Sequence, residues 1–435
     1  MRRTGRGGRG AIMEARRLKS IIGGSAGNLV EWYDFYAYAA LAIYFAPAFF
    51  PEGDRTAQLL STAAIFGVGF LMRPIGAWIM GVYGDSRGRK AGLALSVGLM
   101  FGGSLMIAVA PTHAQAGLLS PLWLLVARML QGLSVGGEYG TSATYLSEMA
   151  PRARRGFWSS FQYVTLVGGQ LSALAVVLLL QSLLSEAQLE GWGWRIPFAL
   201  GALLALLVYA FRRRLAETAS FEAMAKADRP RSTIGNLWRA HPRAFLLVVA
   251  ITAGGSLAFY AYTTYMQKFL VNTAGFDRQT ATGVMTGALV VYMCAQPLFG
   301  HLADRFGRKP MLLLFGIGAM IATAPAYSLL AAGPTPALAF AVICGLLLLL
   351  SGYTAISALV KAELFPAHVR TLGVALPYAI GNALFGGSAE YVALWLKKAG
   401  VEAGFYWYVA AMAGVATIGF LMLPETRRDS RIAED

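Results

Sequence analysis

The stretch GVYGDSRGRK at residues 81–90 returns as GHLADRFGRK at 300–309, 219 residues later. Each copy follows an apolar run and places an acid, Asp85 or Asp304, three residues before a glycine and four before an arginine. Two further markers recur in the same order. EMAP at 148–151, with Arg155, returns as ELFP at 363–366, with Arg370; Glu217-Thr218 returns as Glu425-Thr426. Ordered markers repeated at one long period indicate a duplicated unit, so the chain reads as two similar halves.

What each half contains follows from composition. Of 435 residues, 57% are hydrophobic and 14% charged. A soluble domain carries about 25% charged residues, so too little polar surface is present to face water. A helix needs roughly 20 apolar residues to cross a hydrocarbon core of about 30 Å. Twelve such spans are expected, at about 20–48, 59–82, 91–111, 119–146, 157–184, 195–211, 244–270, 279–302, 310–332, 336–361, 371–396 and 404–423. The expected organisation is a basic tail (1–19), a six-helix bundle (20–211), a linker (212–243), a second six-helix bundle (244–423) and a short tail (424–435). The fold class is all-α integral membrane.

Orientation follows from the 37 Lys and Arg residues. Alternate loops together with the two tails hold 28 of them and the opposite loops hold 4, Arg55, Arg278, Lys397 and Lys398. Short basic loops remain in the cytoplasm, so both termini are expected there. This distribution also accounts for the net charge of +15 without nucleic acid as a partner. The Arg/Gly-rich start reads as a tail that touches anionic lipid. Cys294 and Cys344 lie inside apolar runs and are expected to be packing residues. No Walker A or HExxH motif is present and the four histidines fall mainly in loops, which argues against an enzyme, a metal site or a bound cofactor.

Ionisable residues inside the membrane cost about 2.5–3.5 kcal/mol each on insertion scales, so they are functional candidates. Asn28, Glu31 and Asp34 form one stripe along the first span at 100° per residue. Arg128, Gln131 and Glu138 form another along the fourth, where Gly132, Gly136, Gly137 and Gly140 permit close helix contact. With Arg73, the set holds three acids and two arginines, and the spare carboxylate suits a proton carrier. Asp34 is preferred for that task, then Glu31; Glu138 fits an ion-pair role better. The competing reading is a static network that fixes packing.

Arg73 and Arg128 point to an anionic substrate, because a guanidinium binds a carboxylate through two parallel hydrogen bonds. Arg73 precedes Pro74, so anchoring a helix kink is its alternative role. Tyr36, Gln162, Tyr163 and Gln170, with Tyr260 and Gln267, offer hydrogen bonds to a substrate carbonyl or, equally, helix contacts. Lys268 is a further substrate candidate that can instead snorkel outward. Glu390 is another second-half candidate, and Lys361 is assigned to the loop that holds Glu363.

The two GxxxDxxGRK loops, the linker and the six-plus-six plan resemble the major facilitator superfamily. GNLVEWYDFY (27–36), FLMRPIG (70–76) and RMLQGLSVGGE (128–138) look like its metabolite:H+ symporter family. GTSATY (140–145), FQYVT (161–165), GGQ (168–170), WGWRIPF (192–198), TTYMQK (263–268) and FGGSAEY (385–391) are similar to members that carry 2-oxoglutarate. The resemblance implies proton-driven uptake of 2-oxoglutarate across the bacterial cytoplasmic membrane by a monomeric carrier using alternating access. Citrate, another dicarboxylate, or an osmolyte such as proline or betaine is the alternative cargo. It also implies that Gly81, Asp85, Gly88 and Arg89, matched by Asp304, Arg305, Gly307 and Arg308, latch the halves on the cytoplasmic side. Ser86 stands where many members carry a basic residue, so the first latch is expected to be the weaker.

Overall fold

A computed structural model describes residues 5–50, 55–225 and 232–432, and every regular element among them is helical. Without water in the bilayer core, backbone N–H and C=O groups must be satisfied within each segment, and long apolar runs meet that demand as helices. The long helices are α1 (Gly5–Phe49), α2 (Arg55–Arg87), α3 (Arg89–Ala108), α4 (Leu119–Met149), α5 (Phe161–Leu183) and α6 (Arg195–Arg212). The second half contributes α7 (Pro242–Asn272), α8 (Arg278–Phe306), α9 (Arg308–Ala331), α10 (Pro336–Glu363), α11 (Arg370–Gly381) and α12 (Ala403–Met422).

Ten helices among the described residues are long and apolar enough to cross a membrane. The other two expected spans are α1, which carries Asn28, Glu31 and Asp34, and α11. A π-helical turn at Asn382–Gly386 interrupts α11 before helix resumes at Ala389–Lys398. A second π turn, Ala261–Tyr265, lies inside α7. The first helix begins at Gly5, well before the expected span, while residues 226–231 of the expected linker and 433–435 of the expected tail lie outside the described residues. Cys294 is exposed on the flank of its half, contrary to the packing role expected of it. An uncharged thiol costs little against lipid.

Within the first half, α4 packs against α2 and α3. Gly132 sits against Gly69, Gly136 against the backbone of Arg73 and Gly137 against Met80. The halves meet along α2 and α11, along α8 and α5, and along α4 and α10. α2 and α8, like α5 and α11, stand six positions apart in the helix order, so the seam follows the internal repeat.

The repeated markers pin this seam at one end. Asp85 accepts from the backbone N–H groups of Thr371 (3.0 Å) and Leu372 (3.1 Å), in the first turn of α11 in the other half. Asp304 likewise accepts from the N–H groups of Gly156 (2.8 Å) and Phe157 (2.9 Å), just ahead of α5. Each acid is also paired four residues on, Asp85 with Arg89 at 3.1 Å and Asp304 with Arg308 at 2.9 Å. Free N–H groups at a helix start favour negative charge, and these carboxylates supply it from across the seam. Arg370 crosses the same seam to pair with Glu148, which also accepts from Arg89 and Thr218. The third marker caps from within each half. Glu217 accepts from the N–H groups of Arg89 and Lys90, and Glu425 from those of Arg308 and Lys309.

Ser86 is exposed and donates to the carbonyl of Tyr83, while Arg305 is exposed beside Phe306. Neither side chain joins the two acids, and Asp85 gains an extra donor in the Ser232 hydroxyl at 3.0 Å. The difference at position 86 therefore lies outside the set of donors that hold the carboxylates.

Gly88 and Gly307 make both latch turns possible, with φ of 108° and 110° in a region that is essentially restricted to glycine. A Cβ at either position would also meet the capping carboxylate of Glu217 or Glu425. Gly88→Ala and Gly307→Ala are each expected to cost about 1–3 kcal/mol, read as a lower melting temperature in detergent. An unchanged melting temperature in both variants would show that these turns are unstrained.

Candidate functional site

The polar stripes of α1 and α4 meet inside the first half. Glu31, Asp34, Arg73, Arg128 and Gln131 line one small cavity, closed on its sides by Phe35, Met100 and Val135. All five polar residues are buried. Asp34 accepts from the Ser104 hydroxyl and, at 3.5 Å, from Nε2 of Gln131. Glu31 accepts from Ser134 at 2.7 Å. Gln131 turns its carbonyl oxygen to Arg128, which donates to it at 2.6 Å. One amide thus connects Arg128 to Asp34.

Glu138, grouped with these acids from its place on the α4 stripe, is held elsewhere. Both terminal nitrogens of Arg212 donate to it, as does the Ser96 hydroxyl. Arg212 also donates to the carbonyls of Gly23 and Leu93, tying α6 to α1, α3 and α4. Its neighbours Arg213 and Arg214 are exposed, and the sequence run counts all three alike as linker charges. The structure therefore sets Glu138 in a buried ion pair outside the lining of the cavity, joined to Glu31 through Ser96 and Ser134.

The two arginines of the cavity behave differently. No ion pair among the described residues involves Arg73 or Arg128. Arg73 lies over the rings of Phe70 (3.9 Å) and Phe35 (5.3 Å) and donates at 3.4 Å to the hydroxyl of Tyr260 in the other half. Arg128 lies over Tyr38 (4.3 Å) and Phe66 (4.9 Å). In each, Nε is buried without an acceptor. Cation–π contact offsets part of the desolvation of these guanidinium groups, but a carboxylate would offset more. Pro74 does lie within α2, yet Arg73 reaches across the seam to Tyr260.

The remaining candidates divide between the interior and the rim. Tyr36 meets Thr264 of the other half at 3.2 Å. Gln162 is buried, accepts from Ser142 at 2.8 Å and leaves Nε2 without a partner. Tyr163 is buried edge-on against Phe259 of α7, and Gln170 is half-buried with its side-chain oxygen unpartnered. Lys268 stands apart from Arg73 and Arg128. Its side chain is 51% exposed and paired with Glu390 at the rim, as snorkelling predicts. Gln267 is also at the surface, bonded to Thr282.

Lys361 falls inside the protein rather than in the loop with Glu363. It is fully buried in the last turn of α10 and donates to the hydroxyls of Ser357 (2.8 Å), Tyr139 (3.1 Å) and Tyr353 (3.2 Å). The pattern that could have found it is a lone lysine four residues after Ser357 and eight after Tyr353, on one face of a helix. Proximity to Glu363 and Pro366 hid it. Arg212 was hidden for a similar reason, as one of three arginines in a row.

Comparison with known proteins identifies the architecture. The chain matches the family described as sugar (and other) transporters over residues 20–229 and again over 213–431. It is 53% identical over 417 residues to the alpha-ketoglutarate permease of Escherichia coli strain K12, covering 96% of each chain. It is 32% identical over 411 residues to the citrate-proton symporter of Klebsiella pneumoniae, covering 93% of this chain and 92% of that one. Among solved structures, the proton:xylose symporter XylE, of the major facilitator superfamily, superposes with a TM-score of 0.80 at 17% identity, over 95% and 97% of the two chains, a likeness of fold. A duplicated six-helix bundle, two crossed latches and relatives that are permeases along nearly the whole length have one reading: the protein belongs to the sugar (and other) transporter family of the major facilitator superfamily, a multi-pass membrane carrier and not an enzyme.

Proposed function

We propose that the protein is a proton-coupled symporter that imports 2-oxoglutarate across the bacterial cytoplasmic membrane, with both termini in the cytoplasm. One observation carries the choice of an anion: Arg73 and Arg128 are buried beside a cavity with no carboxylate in ion-pair range among the described residues. A buried cation with no carboxylate bonded to it directly is costly, and an arriving carboxylate offsets that cost. Likeness to the alpha-ketoglutarate permease supports 2-oxoglutarate as the anion. The excess of basic residues on the latch face supports the orientation.

In this reading Arg73 takes a substrate carboxylate, and Tyr36, Gln162, Tyr163 and Gln170 shape the surrounding interior. Arg128 acts on substrate and proton together, since Gln131 links it to Asp34. Asp34, with Glu31 second, loads a proton from outside and releases it inside. The latches open as one six-helix half rocks against the other around a midplane site. The carrier works as a monomer without a cofactor, and the proton gradient supplies the energy. Citrate is the second reading, favoured by likeness to the citrate-proton symporter.

Membrane vesicles holding the protein are expected to accumulate radiolabelled 2-oxoglutarate under an imposed inward proton gradient, with little competition from citrate or proline. Exclusion of 2-oxoglutarate together with entry of citrate would move the assignment to the second reading. Arg73→Ala and Arg128→Ala should each abolish uptake while inserting normally; wild-type uptake in either variant would remove that arginine from the substrate role. Asp34→Asn is expected to retain exchange of internal for external substrate and to lose gradient-driven accumulation. Intact accumulation in that variant would pass the proton to Glu31.

A further inference from the structure

The first half supplies arginines for one end of the substrate, but 2-oxoglutarate carries a carboxylate at each end. We propose that Lys361 of the second half is the cation for the other carboxylate, so that substrate bridges the seam between Arg73 and Lys361. This inference rests on the reading of the protein as a 2-oxoglutarate carrier.

Four observations lead to it. Lys361 is fully buried, and among the described residues it forms no ion pair. Its three ammonium hydrogens all go to neutral hydroxyls, those of Ser357, Tyr353 and Tyr139. Three tyrosine rings surround it, with centroids 4.5 Å (Tyr378), 5.1 Å (Tyr139) and 5.5 Å (Tyr353) from Nζ. Finally, Tyr139 comes from α4 of the first half and stacks on Tyr378 of α11 at 3.5 Å, so the ammonium sits at the seam.

Hydroxyls and ring faces hold an ammonium without neutralising it. A lysine whose task was to lock the helices would be expected to face a carboxylate, as Arg370 faces Glu148 and Arg212 faces Glu138. Both cations reach across the seam: Arg73 of the first half donates to Tyr260 of the second, and Lys361 of the second half donates to Tyr139 of the first. A dicarboxylate reaches both when the stack of Tyr139 on Tyr378 parts as the halves rock. One carboxylate then replaces hydroxyl oxygens at Nζ and the other takes the guanidinium of Arg73. Because the two cations belong to different halves, a dianion draws the halves together and a monoanion cannot. Lys361 thereby selects for a second carboxylate.

The test compares 2-oxoglutarate with 2-oxopentanoate, which has the same carbon chain without the second carboxylate. Each is titrated against purified protein by ligand-induced thermal shift and as a competitor of uptake. Wild type is expected to prefer 2-oxoglutarate by at least about tenfold, and Lys361→Gln to lose most of that preference while binding of 2-oxopentanoate changes by less than about threefold. A merely structural lysine would weaken both ligands together or lower the melting temperature without altering their ratio. If Lys361→Gln does not fold, Lys361→Met, an unbranched apolar chain in the same cage, takes its place with the same readout. A folded variant that keeps the wild-type preference overturns the role of Lys361 and leaves the carrier assignment standing. Equal binding of the two ligands by wild type also overturns it. A wild-type protein that neither binds nor transports 2-oxoglutarate overturns the carrier reading and this inference together.

Discussion

A carboxylate of one half seated on the first backbone N–H groups of a helix in the other half is the interaction on which this architecture depends. It occurs twice, at Asp85 on α11 and at Asp304 ahead of α5, and the two copies follow the internal repeat. Each acid satisfies donors that helical geometry leaves free, and each is steadied by an arginine one turn further on. An apolar seam between the halves would give no preference for one alignment over its neighbours. These directional bonds do, and so they set the alignment of the two halves.

Behind the latches lies an uneven distribution of charge. Arg89, Arg370 and Arg212 are buried with carboxylates close by and serve the scaffold. Arg73, Arg128 and Lys361 are buried among aromatic rings and neutral oxygens. Removing a charge from water costs several kcal/mol that only a good partner offsets. The second set therefore keeps more of that cost than the first, since none of its members forms an ion pair among the described residues. Acids of the interior follow the same division. Glu138 is neutralised by Arg212, whereas Glu31 and Asp34 rest on serine hydroxyls and an amide, free of ion pairs among the described residues.

Helix irregularities lie close to the tyrosines that face the buried cations. The π turns at Ala261–Tyr265 and Asn382–Gly386 fall in α7 and α11, beside Tyr260 and Tyr378, the tyrosines that Arg73 and Lys361 approach. A π turn leaves one more residue per turn than the α-helix and so redirects the side chains that follow. The first has no signal in the sequence, since alanine, tyrosine and threonine within an apolar run do not mark one, whereas the second ends at a Gly386-Gly387-Ser388 run that does interrupt a helical pattern.

The apolar run lengths, the excess of lysine and arginine on alternate loops and three ordered markers were enough to determine from the sequence a duplicated six-helix membrane bundle. Physical rules that act along the chain govern those features: run length against bilayer thickness, charge against translocation, and identity against period. The stripe on α1 was legible because helical geometry places Asn28, Glu31 and Asp34 on one face whatever surrounds them. Tertiary structure alone decided which charges meet. Arg212, one of three consecutive arginines, turns inward to take Glu138 away from the cavity, and Lys361, two residues from Glu363, points into a tyrosine cage. Lys268, within an apolar helix, reaches outward to Glu390 instead. Pairing depends on distances between helices far apart in the chain, set by packing along the seam, and helical periodicity does not contain that information.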